Sequence, residues 1–435
     1  MSAGVIVGLE HHLEADLVTA VEASRDLVVV RRCADCAELL STAAAGVGDI
    51  AVVSPGFRGV DREALRTLAG HGVLVAGLVW AGDEEGERRL RQLGVSAILH
   101  GGREVLDLAP LESLRSTAGS ELAQPPKVGT PGDLFGPGQV WGPGVAAPGG
   151  DDPANAAGAI VSAVWGPTGA PGRTTVATGL ASLLAARGAS TLLVDLDTWG
   201  ASVAQVLGLV DEAPGLAAAA RAAEQGTLDV PSLSRVTPEV RPRLRVLTGL
   251  PAPHRWPEAR SAAVEHVLAI ARGLAEHVVL DCGFAIEDDE ELSYDTAAPR
   301  RNAATLAGLA AADALVIVGA ADPVGLQRLV RARSAVGTVP SPEPLVVVNK
   351  VRASVAGAHP ERAIRDVLRR FAGLDDPLFV PWAPEECDGA LLAGRAVPEL
   401  HPGGRVATAL SVVLDRMLPQ TAPQSRTERR RRSRR

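Results

Sequence analysis

Lysine and aromatic residues are scarce in this sequence. Only Lys127 and Lys350 are lysines, whereas arginine is abundant, which we interpret as a coding preference. An arginine at a position where lysine is usual is therefore either tolerated drift or a loss of activity. Aromatic residues make up 3% of the chain and hydrophobic residues 46%, with alanine, valine and leucine dominant. This composition favours parallel sheets covered by helices with small side chains.

Cysteines and long apolar runs are also few. Cys33 and Cys36 form a lone C-x-x-C pair without a second pair nearby, which argues against a zinc or redox site, and four cysteines in all favour a reducing compartment. No uninterrupted run of about 18 apolar residues suggests a transmembrane helix. The first residues lack the basic region of a signal peptide. We therefore expect a cytoplasmic protein, with peripheral contact at the inner face of the membrane left open.

The chain without its last residues has a net negative charge. The net charge is −8, although the last ten residues, 426–435, contain seven arginines and one glutamate. The acidic body argues against a nucleic-acid-binding surface. We expect residues 419–435 to form a disordered, arginine-rich tail, which leaves binding to acidic lipid or nucleic acid as an alternative.

Residues 1–105 alternate strand-like and helix-like patterns five times, which predicts an α/β domain with a flavodoxin-like, doubly wound sheet. The spacing resembles that of a response-regulator receiver domain. In that register Ser54 stands at the phosphoacceptor aspartate, Gly8 and Leu9 at the acidic pair, and Gly101 near the lysine. The groups needed for Mg²⁺-assisted phosphorylation are therefore missing. We expect a degenerate receiver-like domain for docking or dimerisation, or a purely structural cap.

The next two segments differ sharply in composition. Residues 106–157 are rich in proline and glycine, which predicts a flexible linker. Residues 158–418 contain apolar runs separated by helical patterns, typical of a parallel sheet buried on both faces. We expect this segment to form the main domain.

A glycine-rich turn opens the main domain. Residues 166–175 read Gly-Pro-Thr-Gly-Ala-Pro-Gly-Arg-Thr-Thr, between an apolar run and a helical pattern. This layout is typical of a phosphate-binding loop, in which backbone N–H groups and a helix N-terminus hold an anion. Thr174 stands where such a loop places its Mg²⁺-binding hydroxyl. Two later apolar runs end in carboxylates, Asp195 with Asp197 and then Asp281. A glycine-rich turn followed by two strands that end in aspartates predicts a P-loop NTPase domain.

These motifs resemble those of the ParA/MinD family of deviant Walker A ATPases. Thr168 and Arg173 occupy the positions of the two family lysines, one reaching the partner's nucleotide and one gripping the phosphates. The resemblance implies that Asp197 positions the catalytic water and that Thr174, Asp195 and Asp281 hold Mg²⁺, in part through water. It also implies a nucleotide site formed by Asn349 and Pro381, facing the base, and by the loop residues Gly169, Ala170, Pro171, Gly172, Arg173, Thr174 and Thr175.

The resemblance implies ATP or ADP with Mg²⁺ as cofactor and a nucleotide-dependent homodimer. Because both lysines are replaced, we expect at most a weak ATPase, with nucleotide binding retained but weakened and hydrolysis very slow or absent. A receiver-like domain joined to such a domain resembles the CpaE/TadZ branch, which implies partners in pilus assembly or septum-site and polar positioning. The alternatives are a non-enzymatic pseudo-ATPase scaffold and a ParA-like DNA-partitioning ATPase.

Overall fold

The computed structural model describes residues 2–102, 106–111, 113–114, 159–169, 171–209, 215–287 and 299–418. The chain divides into two compact units, one ending at residue 158 and the other beginning at residue 159, with residues 61–63 grouped with the second. The expected tail and most of the expected linker lie outside the described residues. Within the described ranges, every helix is too short or too polar to cross a bilayer.

The first unit is a parallel sheet of five strands with helices on both faces. Its strand order, β2-β1-β3-β4-β5, is the flavodoxin-like order, so the expected fold class is confirmed. The elements are β1 (Ala3–Gly8), α1 (His11–Ala23), β2 (Leu27–Arg32), α2 (Cys36–Ala44), β3 (Ile50–Val53), α3 (Arg62–Gly70), β4 (Leu74–Trp80), α4 (Glu84–Leu93) and β5 (Ala97–Gly101).

Alternation along the strands sends side chains into two separate cores. In β1, Val5 and Val7 enter one core, while Ile6 enters the other. Leu106 and Leu111 are buried in the core that contains Val5. The compact part of this unit therefore continues beyond residue 105, where we expected the linker to begin.

Ser54, which stands at the phosphoacceptor position expected from the sequence, forms hydrogen bonds within the chain. The Ser54 side chain is fully buried, and its hydroxyl oxygen accepts a hydrogen bond from the Glu10 N–H at 2.9 Å. The Glu10 carboxylate in turn accepts from the Gly56 N–H at 3.1 Å. The hydroxyl and the carboxylate thus hold the loops at the ends of β1 and β3 together.

The second unit is built on an eight-stranded sheet of order β13-β12-β11-β6-β10-β7-β9-β8, parallel except at its last strand. Its strands are β6 (Ile160–Trp165), β7 (Thr191–Leu196), β8 (Glu239–Arg241), β9 (Leu244–Leu247), β10 (His277–Cys282), β11 (Ala314–Ala320), β12 (Pro344–Val351) and β13 (Leu378–Pro381). Its helices are α5 (Arg173–Ala186), α6 (Val203–Val206), α7 (Gly215–Glu224), α8 (Val230–Val236), α9 (Ser261–Ala271), α10 (Ala303–Ala311), α11 (Pro323–Val336), α12 (Ala353–Ala356), α13 (Pro360–Ala372), α14 (Pro384–Leu392), α15 (Val397–Leu400) and α16 (Arg405–Met417), with a 3₁₀ turn at Pro253–Glu258.

Helices cover this sheet on both faces, which explains why its strands are apolar without alternation. Helix α5 packs on one face with α15 and α16, whereas α7, α9, α10, α11 and α13 cover the other. Strand β10 lies between β6 and β7, and Asp281 pairs in register with Asp195. The carboxyl ends of these three parallel strands therefore meet at one edge of the sheet.

Candidate functional site

The loop after β6 has the backbone shape of a phosphate-binding loop. Gly169 and Gly172 have left-handed φ values of 104° and 102°, which glycine adopts far more readily than other residues. A Cβ atom on Gly166 would lie 2.2 Å from the Val318 carbonyl oxygen, so only glycine fits there. Gly172 caps α5 without a side-chain bond, which leaves the N–H groups of the first turn available to an anion. Ala170 lies outside the described residues.

Arg173 is folded back onto the loop that precedes it. Its Nη1 donates to the carbonyl oxygens of Gly166 and Pro167 at 3.1 and 3.2 Å, and its Nη2 lies 3.2 Å from the Asp197 carboxylate. The Arg173 side chain is only 13% exposed, and its guanidinium carbon lies 5.9 Å from the centre of the Phe284 ring. The guanidinium therefore already forms hydrogen bonds to two loop carbonyls and an ion pair with Asp197.

Asp197 is held from two sides. One carboxylate oxygen accepts from the N–H groups of Trp199 and Gly200 at 2.9 and 3.0 Å, and the other pairs with Arg173. The structure thus places the expected catalytic carboxylate beside the loop, in an ion pair within a tight turn. In this arrangement both oxygens already have partners.

Asp195 accepts hydrogen bonds from three backbone N–H groups, and is fully buried. The donors are Asp197 at 3.1 Å, Ser202 at 2.9 Å and Val203 at 3.0 Å, so the carboxylate fixes the start of α6. Burial raises the pKa of Asp195 to about 6, although these N–H groups oppose the rise. Its place as a Mg²⁺ ligand stays a prediction, because in this structure its oxygens serve the backbone.

Asp281 differs from the other two carboxylates. It is 1% exposed, and among the described residues neither of its oxygens has a hydrogen-bond partner. Burial, reinforced by the Asp195 carboxylate, raises the pKa of Asp281 well above its ordinary value, while the Thr174 hydroxyl and Arg173 oppose that rise. An unpartnered buried carboxylate is costly, and a cation relieves that cost. Asp281 thus fits the expected role.

Thr174 begins the site on the helix side. Its hydroxyl lies 3.3 Å from the Ser202 hydroxyl, near the orphaned Asp281. Hydroxyl and carboxylate oxygens are ligands that Mg²⁺ prefers, and the ion usually keeps several of its waters. Thr174 and Asp281 are therefore the pair that fits a bound Mg²⁺ best. Thr175 follows in the first turn of α5 and lines the same cleft.

Asn349 connects β12 to the phosphate loop. It is 7% exposed; its amide nitrogen donates to the Pro171 carbonyl oxygen at 2.8 Å, and its amide oxygen accepts from the Lys350 N–H at 2.8 Å. Lys350 itself has a φ of 61°, unusual for a residue with a side chain. Asn349 therefore stabilises the phosphate loop through this hydrogen bond. It also lines the cleft, where we expected it to contact the base.

A cleft of about 420 Å³ joins these parts. Its far wall carries Trp382, which is 42% exposed and has the Arg352 guanidinium carbon 5.3 Å from its ring centre and the Lys350 Nζ at 6.0 Å. The lining comprises Gly172, Arg173, Thr174, Thr175, Val176, Asp197, Gly200, Ser202, Asn349, Lys350, Val380, Pro381, Trp382, Ala383, Pro384, Cys387, Asp388, Val406 and Leu410. The phosphate loop and the expected base-side residues Asn349 and Pro381 thus share one cleft.

Two arginines that the sequence analysis did not single out contact parts of this site: Arg328 lies beside the phosphate loop, and Arg301 lies over Trp199. Arg328 of α11 is exposed, and its Nη1 lies 3.4 Å from the Thr168 carbonyl oxygen, above Gly169. The Arg301 guanidinium carbon lies 3.5 Å from the Trp199 ring centre. No motif marks either residue, because tertiary packing alone brings them from distant positions. The Thr168 side chain is exposed at the loop and carries no charge.

Residues 162–386, just over half of the chain, match the family model of the CobQ/CobB/MinD/ParA nucleotide-binding domain. The chain belongs to this family. The expected ParA/MinD membership is thereby confirmed at the level of this family, and most of the residues that line the cleft fall within the matched range.

Solved structures agree in fold at low sequence identity. The chain is similar to a ParA family ATPase from Chlorobium tepidum, with 17% identity, a TM-score of 0.50, and coverage of 59% of this chain and 97% of the other. It is also similar to the septum site-determining protein MinD from Pyrococcus horikoshii, solved with Mg-ADP, at 19% identity, a TM-score of 0.46, and coverage of 59% and 95%. At 17% identity, the similarity to the ParA family ATPase shows the fold alone. No curated protein matches the sequence.

Proposed function

We propose that this protein binds a nucleoside triphosphate with Mg²⁺ in the cleft, hydrolyses it slowly or not at all, and uses the bound state to position other proteins. The proposal rests on one observation: the phosphate loop lines an open cleft, while the Arg173 guanidinium is bonded to other groups of its own chain. The loop, the orphaned Asp281 and the Thr174 hydroxyl provide what binding requires. The cation that should serve the phosphates instead contacts Gly166, Pro167 and Asp197.

Each part of the cleft has a distinct task in this proposal. The N–H groups at the start of α5 bind phosphate oxygens, and Thr174 with Asp281 holds Mg²⁺, which neutralises phosphate charge when bound. Asn349, Pro381 and the exposed face of Trp382 surround the base, consistent with ATP or ADP. Because Asn349 also bonds to the Pro171 carbonyl, base binding and loop shape depend on the same side chain.

Slow hydrolysis follows from charge and from occupied hydrogen-bond acceptors. Asp197 orients a water only if one of its oxygens is released, and both are engaged. Thr168 brings no cation to a partner's nucleotide, and a cation of that kind typically contributes orders of magnitude to the rate of phosphoryl transfer. We therefore expect turnover far below that of a domain with both lysines.

The proposed cellular role rests on the two-unit architecture. A flavodoxin-like unit with Ser54 at the phosphoacceptor position precedes a MinD/ParA-type domain, which supports placement in the CpaE/TadZ branch. We therefore propose partners in pilus assembly or in polar or septum-site positioning, a nucleotide-dependent homodimer, and a cytoplasmic location with peripheral membrane contact. A fluorescent fusion in the source cells tests this role: polar or septal foci support it, and uniform fluorescence argues against it.

Titration with a fluorescent ATP analogue, with and without Mg²⁺, tests nucleotide binding. We expect saturable, Mg²⁺-dependent binding that tightens at least about threefold in Arg173→Lys, because lysine cannot bridge the two loop carbonyls and Asp197 as a fork. The double variant Thr168→Lys with Arg173→Lys should also gain turnover. Arg187→Lys, at the far end of α5, is the matched control. Absence of saturable binding in all four proteins would overturn the proposal.

A second function, a non-enzymatic scaffold, is favoured by the same arginine contacts. If the Arg173 guanidinium fills the phosphate position permanently, the loop is closed to nucleotide and only the protein surfaces act. Light scattering after size exclusion separates the two functions. A dimer that forms only with nucleotide supports the first, whereas one oligomeric state with and without nucleotide supports the scaffold.

A further inference from the structure

An apolar groove of about 490 Å³ lies on the outer surface of the second unit. Helix α11 contributes Leu326, Val330 and Arg331 to its walls, and α13 contributes Ile364, Val367 and Phe371. Phe371 is 63% exposed and Val367 37% exposed, although both are large and apolar. The groove shares no lining residue with the nucleotide cleft.

The apolar residues of α13 fall into two groups, one buried and one exposed. Ile364 and Leu368 are buried against the domain, whereas Val367 and Phe371, one turn apart, remain at the surface. Burial of the first pair already fixes the helix on the sheet. The second pair is therefore not needed to hold the helix and stays largely exposed, and a continuous exposed apolar surface of this kind commonly marks an interaction site.

The helices beside the groove are strongly basic within an acidic chain. Helix α11 carries three arginines and no carboxylate, and α13 carries four arginines and two carboxylates, whereas the whole chain has a net charge of −8. Arg331 lines the groove itself, and the Arg370 guanidinium carbon lies 5.3 Å from the Phe371 ring centre. An occupant thus meets apolar walls with positive charge beside them.

We propose that this groove binds an acidic amphipathic helix of a partner protein. A groove between two helices accepts the apolar face of a third helix through side chains at i, i+3 or i+4, and i+7. The flanking carboxylates of such a helix would meet Arg331 and Arg370, which favours this partner over a neutral one. Charge excludes the arginine-rich end of this chain, and a two-fold pairing of copies would oppose two basic faces.

Binding of a designed peptide tests the proposal in the full-length protein. The probe is a fluorescein-labelled helical peptide of about 18 residues with leucine on one face and glutamate beside it. A matched peptide carries lysine in place of glutamate. Fluorescence anisotropy should show saturable binding of the acidic peptide, at least about tenfold tighter than that of the basic one and weaker at high salt.

Two variants locate the binding. Phe371→Ser removes the largest apolar contact, and Arg331→Glu reverses the charge at the surface without touching the core; each should weaken the acidic peptide at least about tenfold. Arg331→Lys should restore most of the affinity. Leu392→Ser, at a side chain 90% exposed outside the groove, is the control and should change nothing. Because Arg331 is exposed, its variants test the proposal even if Phe371→Ser fails to fold.

Four results would overturn the proposal. Equal binding of the acidic and basic peptides, or indifference to Arg331→Glu, would show that the groove does not select charge. Binding to phosphatidylglycerol vesicles in place of the peptide, lost in Arg331→Glu, would assign the surface to a membrane. A dimer that dissociates in Phe371→Ser would assign it to a second copy.

Discussion

The two units differ in how the polar groups at their expected sites are bonded. In the first unit, Ser54 and Glu10 bond to backbone groups, so the position at which the sequence predicts a degenerate phosphoacceptor has its hydrogen bonds within the chain. In the second, a cleft of about 420 Å³ remains and Asp281 is buried without a partner among the described residues. A closed site, in which the polar groups bond within the chain, offers little to a ligand, whereas a buried group without a partner is a common feature of a ligand site.

The contacts of Arg173 give the second site features of both kinds. It bonds to the loop carbonyls and to Asp197, as in a closed site, but leaves Asp281 without a hydrogen-bond partner among the described residues. The comparison therefore predicts that the second site is weakened and not lost. The following experiments test this, starting with the largest expected effect.

Replacement of Asp281 by asparagine should abolish the Mg²⁺ dependence of nucleotide binding, with an affinity loss of about 100-fold in the presence of Mg²⁺. The same change should raise the Tm of the ligand-free protein by about 3 °C, because it removes a buried charge. Titration and calorimetry on the same sample measure both effects. Ser54→Ala is the control for affinity, since its site lies in the other unit. A lower Tm together with unchanged affinity would show that Asp281 is purely structural.

Stability should fall as the pH rises through the weakly acidic range. Burial raises the pKa of Asp195 from 3.8 to about 6 and that of Asp281 in the same direction, so the folded state binds more protons than the unfolded state. This contribution is fully present below about pH 4 and is lost as the pH rises through about 6, with a size of about 1–3 kcal/mol.

Urea unfolding at pH 4.5, 5.5 and 7 measures this slope against that of Asp281→Asn, which should be flatter. Mg²⁺ with nucleotide should reduce the slope in the wild type, because a bound cation favours the ionised carboxylate. Equal slopes in the wild type and the variant would mean that burial does not raise the pKa of Asp281.

Substitution of Ser54 by alanine tests the closed site. It should lower the free energy of unfolding by about 1 kcal/mol, because the Glu10 N–H loses its buried acceptor. Denaturant unfolding followed by circular dichroism measures the change, and nucleotide affinity should stay the same. Acetyl phosphate with Mg²⁺ should leave the first unit unmodified, and incorporation of phosphate at Ser54 would contradict the closed-site interpretation.

The smallest expected effect concerns Arg328. Its guanidinium is exposed beside Gly169, so Arg328→Ala should weaken nucleotide binding about threefold at low salt and less at high salt. Arg187→Ala, whose guanidinium pairs with Asp415 away from the loop, is the matched control. Equal losses in the two variants would indicate a general field effect and no local contact with the phosphates.

The sequence by itself determined both sheets and the position of the cleft. Apolar runs without alternation indicate strands buried on both faces, as β6, β7 and β10 are. A glycine-rich turn between a strand and a helix fixes a loop at the carboxyl edge of the sheet, and aspartates at strand ends must then gather beside it. These are local patterns, and the family match to residues 162–386 agrees with them.

Only the tertiary structure decided which of these residues are free to bind. Asp195 and Asp281 look alike in sequence, but one accepts from three backbone N–H groups, two of them at the start of α6, and the other has no partner among the described residues. The contacts of Arg328 with the loop and of Asn349 with Pro171 join positions 160 and 178 residues apart. Residue type and spacing state what a side chain can do, whereas its hydrogen bonds depend on neighbours that distant parts of the chain bring to it.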